Sequence, residues 1–410
     1  MKANWQTKKL GDICSVFTDG NWIESKDQSP EGIRLIQTGN IGNGIFKNRA
    51  GKARYISEKT FKKLKCTEIF KGDILISRLP DPVGRSCIIP KTKEKMITAV
   101  DCSIIRLKKE ILSKFFNYFT QSYTYLNDVE QLTSGTTRKR ISRKNLGLIQ
   151  IPFPPLPEQK RIVKILDEVF EKVAQAKENA EKNLKNSREL FESYLQNIFA
   201  NPSSARASAG KPGEDWEDCV LNDYVKFIDY RGRTPKKTET GIRLITAKNI
   251  KMGYLQIHPE EFINPNDYEG WMTRGIPKKG DVLFTTEAPL ANVAQLDTDE
   301  KVAFAQRTII FQPNQNKLEQ AFLKYLLLSR PIQIKIIEKG TGATVKGIKA
   351  RLLKNIPISF PSLPIQKSIV AQLDKLSAKT KKLEDIYKQK IADLEELKKS
   401  VLKKAFAGEL

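Results

Sequence analysis

One histidine, His258, occurs in 410 residues, which argues against histidine-based catalysis or metal binding; it precedes Pro259 in a polar stretch and reads as solvated. The five cysteines, Cys14, Cys66, Cys87, Cys102 and Cys219, are odd in number and form no C-x-x-C pair, so neither a disulfide framework nor a zinc site is expected. No G-x-x-x-x-G-K-[ST] phosphate loop occurs. Neither Asn201-Pro202-Ser203-Ser204 nor Asn264-Pro265-Asn266-Asp267 fits the Asn-Pro-Pro-aromatic tetrapeptide that holds a target base in amino-directed DNA methyltransferases. Pro80-Asp81 has no Glu-x-Lys within thirty residues after it, which leaves a turn rather than a nuclease motif, and Glu260-Glu261 stands without companion site residues. An apolar run of about 18 residues, the length a membrane helix needs, is missing, and MKANWQTKKL lacks the apolar core of a signal peptide. These absences lead to the expectation of a cytoplasmic, non-enzymatic protein with no resident metal or cofactor.

What the chain does contain, it contains twice. FPPLPEQKRIVKILD at 153–167 returns as FPSLPIQKSIVAQLD at 360–374, and Phe199-Ala200 returns as Phe406-Ala407. A repeat of this kind has to be placed before any motif is read. After each proline-rich opening, suited to a first helical turn, comes a long stretch with helical periodicity. In the first copy the apolar stripe is Ile162, Leu166, Val169, Val173, Ala176, Ala180, Leu184, Ser187, Phe191, Tyr194 and Ile198. In the second it is Ile369, Leu373, Leu376, Thr380, Leu383, Tyr387, Ile391, Leu394, Lys398, Val401 and Ala405. Steps of three and four, with one stutter, define a coiled-coil seam. Lys398 fits the seam poorly, and Leu397 is the alternative at that step. Forty helical residues span roughly 60 Å, and a stripe so narrow needs a partner helix, most economically its own copy.

Residues 1–157 and 216–364 read as two related globules, with helices at 158–200 and 365–410 and a Ser/Ala/Gly/Pro-rich linker at 201–215. Gly32-Ile33-Arg34-Leu35-Ile36 is matched by Gly241-Ile242-Arg243-Leu244-Ile245, Asn40 by Asn249, and Gly72-Asp73-Ile74-Leu75 by Gly280-Asp281-Val282-Leu283. Ser103-Ile104-Ile105 is set against Thr308-Ile309-Ile310, and Gly135-Thr136 against Gly340-Thr341. Between these strands the copies diverge, with 78–85 standing opposite 286–293. Leu112–Leu126 reads as a core helix and Leu146–Phe153 as a strand. A fifteen-residue linker reaches about 50 Å at most, too short to return along a 60 Å helix. The expected architecture is therefore α/β: two pseudo-symmetric globular domains separated by an antiparallel two-helix coiled coil.

The net charge is +24, and it is unevenly placed: residues 1–157 hold 28 basic and 14 acidic side chains, whereas residues 158–200 hold 8 of each. A basic excess on the globules points to nucleic acid. In the first globule the candidates are Arg78 and Arg85, flanking a Pro-Asp-Pro turn, and Thr136, Thr137, Arg138, Lys139 and Arg140. Hydroxyls and cations suit phosphates, and arginine also suits guanine. In the second they are Lys248, Asn249, Thr286, Glu287, Thr341, Thr344, Lys346 and Lys349; Glu287 has the chemistry to accept from a cytosine amino group. The plain alternative for each is an ordinary exposed loop.

The paired F-P-x-L-P-x-Q-K-x-I-V-x-x-L-D boxes, each closing a variable globule and opening a long helix, resemble the specificity subunit of type I restriction-modification systems, as does the G-I-R-L-I…N-I…G-D-I-L…S-G-T…I-P-F-P-P-L-P-E-Q succession in 32–159. The resemblance covers nearly the whole chain; one departure is Ile365, where the first copy has Glu158. It implies two target recognition domains, each reading half of a split, asymmetric double-stranded DNA site, with the helices as a spacer setting the gap. It also implies docking to two modification subunits, which bring S-adenosylmethionine and flip an adenine for N6 methylation, and assembly with restriction subunits that use ATP and magnesium. The competing expectation is an architectural coiled-coil protein that binds DNA without sequence preference.

Overall fold

The computed structural model describes residues 5–200, 216–230, 232, 234–342 and 345–410; the expected linker 201–215 lies outside them. The chain separates into two compact units. The first runs up to Glu181 and includes Lys388–Leu410; the second is Lys182–Tyr387. Both long helices, Leu156–Ala200 and Leu363–Ala407, are continuous over 45 residues, so each contributes one part to each unit.

Both units are built on the same plan. In the first, an antiparallel sheet has the order Cys14–Asp19, Cys102–Leu107, Ile74–Ser77, Ser86–Ile88. A smaller sheet places Ile33–Ile36 between antiparallel Arg54–Ile56 and parallel Met96–Thr98. Gln6–Lys9 pairs with Gln150–Phe153, the strand that delivers the chain to the first long helix. The second unit repeats this with Val225–Asp229, Thr308–Pro313, Val282–Thr285 and Val293–Gln295. Its Ile242–Ile245 lies between Phe262–Ile263 and parallel Val302–Phe304, and its Glu217–Val220 pairs with Pro357–Phe360. The strands Ile74–Ser77 and Val282–Thr285 are buried at every position, which is why they read as unbroken apolar runs rather than alternating ones. The Gly-Asp that opens each is a turn: Gly72 and Gly280 have φ of 89° and 90°, and the aspartate carboxylates accept from the N–H groups of Phe70 (2.9 Å) and Lys278 (2.8 Å).

Each proline-rich box clamps a long helix to its globule. The Gln159 side chain is fully buried; its Oε1 accepts from Leu112 N–H (2.9 Å), and its Nε2 donates to the carbonyls of Glu110 (3.0 Å) and Pro154 (2.8 Å). Gln366, equally buried, repeats this with Glu319 N–H (2.8 Å) and the carbonyls of Lys317 (2.8 Å) and Pro361 (2.7 Å). Two turns on, Asp167 accepts from the Tyr118 hydroxyl (2.6 Å), and Asp374 accepts from that of Tyr325. Burial, reinforced by the carboxylate, pushes both phenols above their ordinary range and keeps them donors. The other end of each unit's helix pair is held by an aromatic plug. Phe406 sits edge-on to Phe115 (5.3 Å) and Phe119 (5.2 Å) in the first unit; Phe199 sits edge-on to Phe322 (5.4 Å) in the second.

The helix segments pair antiparallel within each unit. In the first, Lys177 binds Glu395, and Arg161 donates to the carbonyl of Leu410. In the second, Arg188 binds Glu384 (3.1 Å), and the Tyr194 hydroxyl donates to Gln372 (2.7 Å). The expected seam is buried or half-buried throughout the first helix and at all but one position of the second. The exception is Leu383, which is 38% exposed; Glu384, paired with Arg188, turns inward instead. Steps of three and four diverge little from a straight seam, so periodicity alone does not choose between neighbours at a stutter. Lys398 keeps its place, with its ammonium 4.8 Å from the Phe170 ring centroid, and Leu397 is exposed.

Four further expectations are corrected. The helix expected over Leu112–Leu126 is two helices, Ser113–Phe119 and Tyr123–Gln131, because the Ser122 side chain caps the second by accepting from Tyr125 N–H. The strand expected over Leu146–Phe153 starts only at Gln150; a helical turn, Arg143–Gly147, capped by Ser142, precedes it. Leu75 pairs with Ile104, and Leu283 with Ile310. Ile104 therefore corresponds to Ile310, one residue away from the match read in the sequence, where adjacent isoleucines gave no phase. The hairpin match moves as well, as described below.

Replacing Gln159 with Ala strands one buried donor and two carbonyls, each worth about 1–3 kcal/mol when left unpaired. Urea unfolding followed through the first unit is expected to show a loss of about 2–4 kcal/mol, and Gln366→Ala the same loss in the second. A change under 0.5 kcal/mol in either would remove the glutamine clamp from this account.

Candidate nucleic-acid interface

In the first unit three segments meet beyond the end of Ile74–Ser77. Arg78 N–H donates to Asp101 O (2.9 Å), and Ile141 N–H donates to Arg78 O (3.2 Å). The segment before Ile141 is a tight hairpin closed by Ser134 and Arg140, which exchange backbone hydrogen bonds of 3.0 and 2.8 Å. The second unit has the same frame. Thr286 N–H donates to Arg307 O (2.9 Å), Ile348 N–H to Thr286 O (3.0 Å), and Thr341 and Gly347 close the hairpin at 2.8 and 2.9 Å. Gly135 and Gly342 occupy the same corner, with φ of 100° and 120°. A Cβ there would lie 2.5 Å from Arg138 O or 2.1 Å from Val345 O, so the turn needs glycine. Gly135 thus corresponds to Gly342, not to Gly340 as the sequence suggested; a second glycine two residues away misled the comparison.

The side chains on this shared frame differ. In the first unit Thr136, Thr137, Arg138, Lys139 and Arg140 are all exposed. Arg138 and Arg140 lie 3.7 and 3.2 Å from Asp101; Arg143 and Arg78 lie 3.9 and 3.4 Å from Asp19; Lys139 pairs with Glu130. Three exposed arginines, with Arg78 beneath them, around two aspartates leave a positive surface. The exposed pairs are individually worth under about 1 kcal/mol, so the aspartates hold the guanidinium groups in place without competing strongly with a phosphate or base edge.

In the second unit Thr341, Lys346 and Lys349 are exposed, and Glu287 binds Arg307 at 2.9 Å. Thr286, Glu287, Gln306, Arg307, Thr341 and Lys349 line a polar cleft of about 380 Å³. A smaller adjoining cleft brings in Lys248 and again uses Gln306 and Arg307. Thr344 lies outside the described residues.

Four of the expected readers are structural. Arg85 is buried, with Nε donating to Ile41 O (2.8 Å), Nη1 to Leu79 O (2.7 Å) and Pro82 O (3.0 Å), and Nη2 to Thr38 O (3.0 Å). Its fork is spent on the chain's own carbonyls. Arg78 is 5% exposed and donates to Val100 O; it supports the surface from beneath. Burial lowers the pKa of both guanidinium groups, which stay charged nonetheless. Asn249 accepts from Thr246 N–H (3.0 Å) and donates to the carbonyls of Gln256 (3.2 Å) and Pro259 (3.0 Å), as Asn40 does with Gln37 N–H and Lys47 O. Thr286 is 3% exposed and lends its backbone to the frame. Sequence reading missed Arg307, Arg143, Asp19 and Asp101. The Asp101–Arg307 correspondence emerges only after the Ile104–Ile310 register is fixed.

Burial pushes the thiols of Cys14, Cys87 and Cys102 up to about 12. Among the described residues no group of three His, Cys, Asp or Glu is placed to hold a metal ion, and no described helix is long and apolar enough to cross a membrane.

A duplicated α/β scaffold with one constant backbone frame and two different displays of polar side chains, each mounted on paired long helices, defines a class of twin recognition protein. The model of the type I restriction modification DNA specificity domain matches residues 2–186 and again 213–396, and the chain belongs to this family: it is a specificity subunit with two recognition domains. It is similar to the putative type I restriction enzyme MjaX specificity subunit of Methanocaldococcus jannaschii, at 24% identity over 94% of this chain and 91% of that protein. The EcoKI specificity subunit of Escherichia coli K12 is also 24% identical, over 92% and 82%. Among solved structures, a chain from a study of the assembly and conformational transition of a type I restriction-modification system matches with a TM-score of 0.80 at 18% identity, covering 100% of this chain and 99% of its own. The HsdS subunit of Thermoanaerobacter tengcongensis matches with a TM-score of 0.60, covering 100% and 98% at 18% identity.

The structural assignment of Arg85 separates it from the surface arginines. Arg85→Ala leaves four carbonyls short of a donor and is expected to cost about 3–5 kcal/mol, whereas Arg138→Ala, on the surface, stays within about 0.5 kcal/mol of wild type. Thermal unfolding of the two variants checks this, and equal melting temperatures would return Arg85 to the list of readers.

Proposed function

We propose that each unit reads one half of a split, asymmetric double-stranded DNA site through the three-segment surface. Thr136, Thr137, Arg138, Lys139 and Arg140 act in the first unit. Lys248, Glu287, Thr341, Lys346 and Lys349 act in the second. The observation that carries this reading is the pairing of a constant backbone frame with unlike side chains: the frame positions, and the side chains discriminate. The lysines and threonines suit phosphates, which fix register, and the arginines suit base edges.

The paired helices act as the spacer that sets the unread gap, and they dock two modification subunits. Leu190 and Leu397 occupy the same position in the two helices and are 53% and 46% exposed, which leaves each unit an apolar spot for such a partner. S-adenosylmethionine binding, flipping of an adenine for N6 methylation and ATP- and magnesium-dependent restriction belong to partner subunits. The chain itself works as a non-catalytic component in the cytoplasm.

Two experiments test the division of labour, both reading methylated sites from the assembled system. Grafting residues 341–347 in place of 134–140 is expected to change one half-site and leave the other intact; an unchanged pair of half-sites would refute the hairpin's role. Deleting one heptad from each long helix removes about 10 Å of helix, equivalent to about three base pairs. The gap is expected to shorten while both half-sites persist. An unaltered gap would rule out the spacer.

A further inference from the structure

We infer that Arg307 and Glu287 together read one G·C base pair in the half-site of the second unit, Arg307 on the guanine and Glu287 on the cytosine. The inference rests on the reading of this surface as a DNA interface and deepens it. Arg307 has φ of 74°, a left-handed conformation costly for any residue that carries a side chain. A glycine would serve the backbone better, so the guanidinium has another reason to be there. The first unit has Asp101 at the same place in the frame and directs its arginines from the hairpin instead.

Glu287 is positioned by the frame as well. It forms an isolated bridge with Gly347, and a Cβ on Gly347 would lie 3.3 Å from the Glu287 Cβ and 3.4 Å from its Oε2. The first unit carries Arg140 at that position. The missing side chain leaves room for the carboxylate to sit against the hairpin and reach Arg307 Nε at 2.9 Å. Both side chains are half-exposed, at 47% and 43%, so neither is tied up in the core as Arg85 is.

The pair matches one base pair better than any other. In the major groove, guanine offers the N7 and O6 acceptors that a guanidinium fork grips in bidentate fashion, and cytosine offers the N4 donor that a carboxylate accepts. Among the described residues nothing binds the Arg307 Nη groups, and Glu287 holds Nε, which presents the fork pre-oriented. Thymine opposite Glu287 would set its O4 acceptor against a carboxylate, and adenine opposite Arg307 would set its N6 donor against a cation. Each wrong base is therefore met by a repulsion as well as a lost bond.

The test is selection of bound duplexes from a random library by the full-length chain, wild type against Arg307→Gly and Glu287→Gln. Wild type is expected to enrich two half-sites, one with a near-invariant G·C pair. Arg307→Gly is expected to erase preference at that pair alone, a loss of about 5- to 150-fold, with an unchanged or higher melting temperature because the strained residue is relieved. Glu287→Gln, whose amide can also donate to thymine O4, is expected to weaken the discrimination against A·T there, with Arg307 still disfavouring adenine. If both variants select the wild-type site, this pairing is overturned while the recognition surface stands. If Arg307→Gly lowers the melting temperature and weakens every position evenly, the arginine is structural and the inference fails. If wild type enriches no sequence, the recognition surface itself fails with it.

Discussion

A buried glutamine side chain at the first turn of each long helix is the constraint from which the rest follows. Gln159 and Gln366 each bind three backbone groups from two segments of their own globule. A side-chain amide supplies both a donor and an acceptor, so it can tie a carbonyl and an N–H that no secondary structure satisfies. With the helix start fixed, the tyrosine–aspartate bond two turns later sets its rotation, and the seam faces inward. The phenylalanine plug then holds the end of the partner helix in the same core. The box repeats almost unchanged because backbone groups, not variable side chains, are its partners.

The same logic separates constant from variable positions on the candidate recognition surface. Its frame is made of backbone bonds between residues 78, 101, 134, 140 and 141, and between 286, 307, 341, 347 and 348. Apart from the glycine corner and the left-handed backbone at Arg307, nothing in that frame depends on the identity of a side chain. Arginine at 78 can therefore become threonine at 286, aspartate at 101 can become arginine at 307, and arginine at 140 can become glycine at 347 without rebuilding the fold. A surface of this kind can change its chemistry residue by residue while the scaffold beneath stays intact.

The sequence made the repeat, the two long helices, most of their seam and the main buried strands legible, because each is written in periodicity or in unbroken apolar runs. It made the candidate site legible only in part. Arg85 and Asn249 look like surface polar residues in a loop, and nothing local says that a loop folds over them; their partners at Ile41 and Thr38, or at Gln256 and Pro259, are set by the tertiary fold. Arg307 was missed for the converse reason. Its significance depends on Asp101 occupying the same frame position, and that match needs the strand register, which Ile104-Ile105 and Ile309-Ile310 leave open by one residue. The helix break at Thr120–Ser122 is of the same kind: the serine cap was readable, but an aromatic-rich run hid it.

Charge on the helices carries a final consequence for pairing. Lys177 binds Glu395 in the first unit and Arg188 binds Glu384 in the second. By the repeat, 177 corresponds to 384 and 188 to 395, so the two bridges occupy equivalent places, yet both cations lie on the first helix and both acids on the second. The carboxylate of Glu395 is held below its ordinary range by Lys177, whose own pKa is raised in return. Pairs this exposed contribute under about 1 kcal/mol each, too little to hold two helices together. Their effect is on choice. Two copies of the first helix, paired in this register, would set Lys177 against Arg188, and two copies of the second would set Glu384 against Glu395. The seam is apolar along most of both helices and gives no sign-dependent preference; the charges do, and they favour the first helix with the second. A chain with two unlike recognition domains gains from pairing its own two helices, and this charge arrangement selects for that pairing at almost no expense in stability.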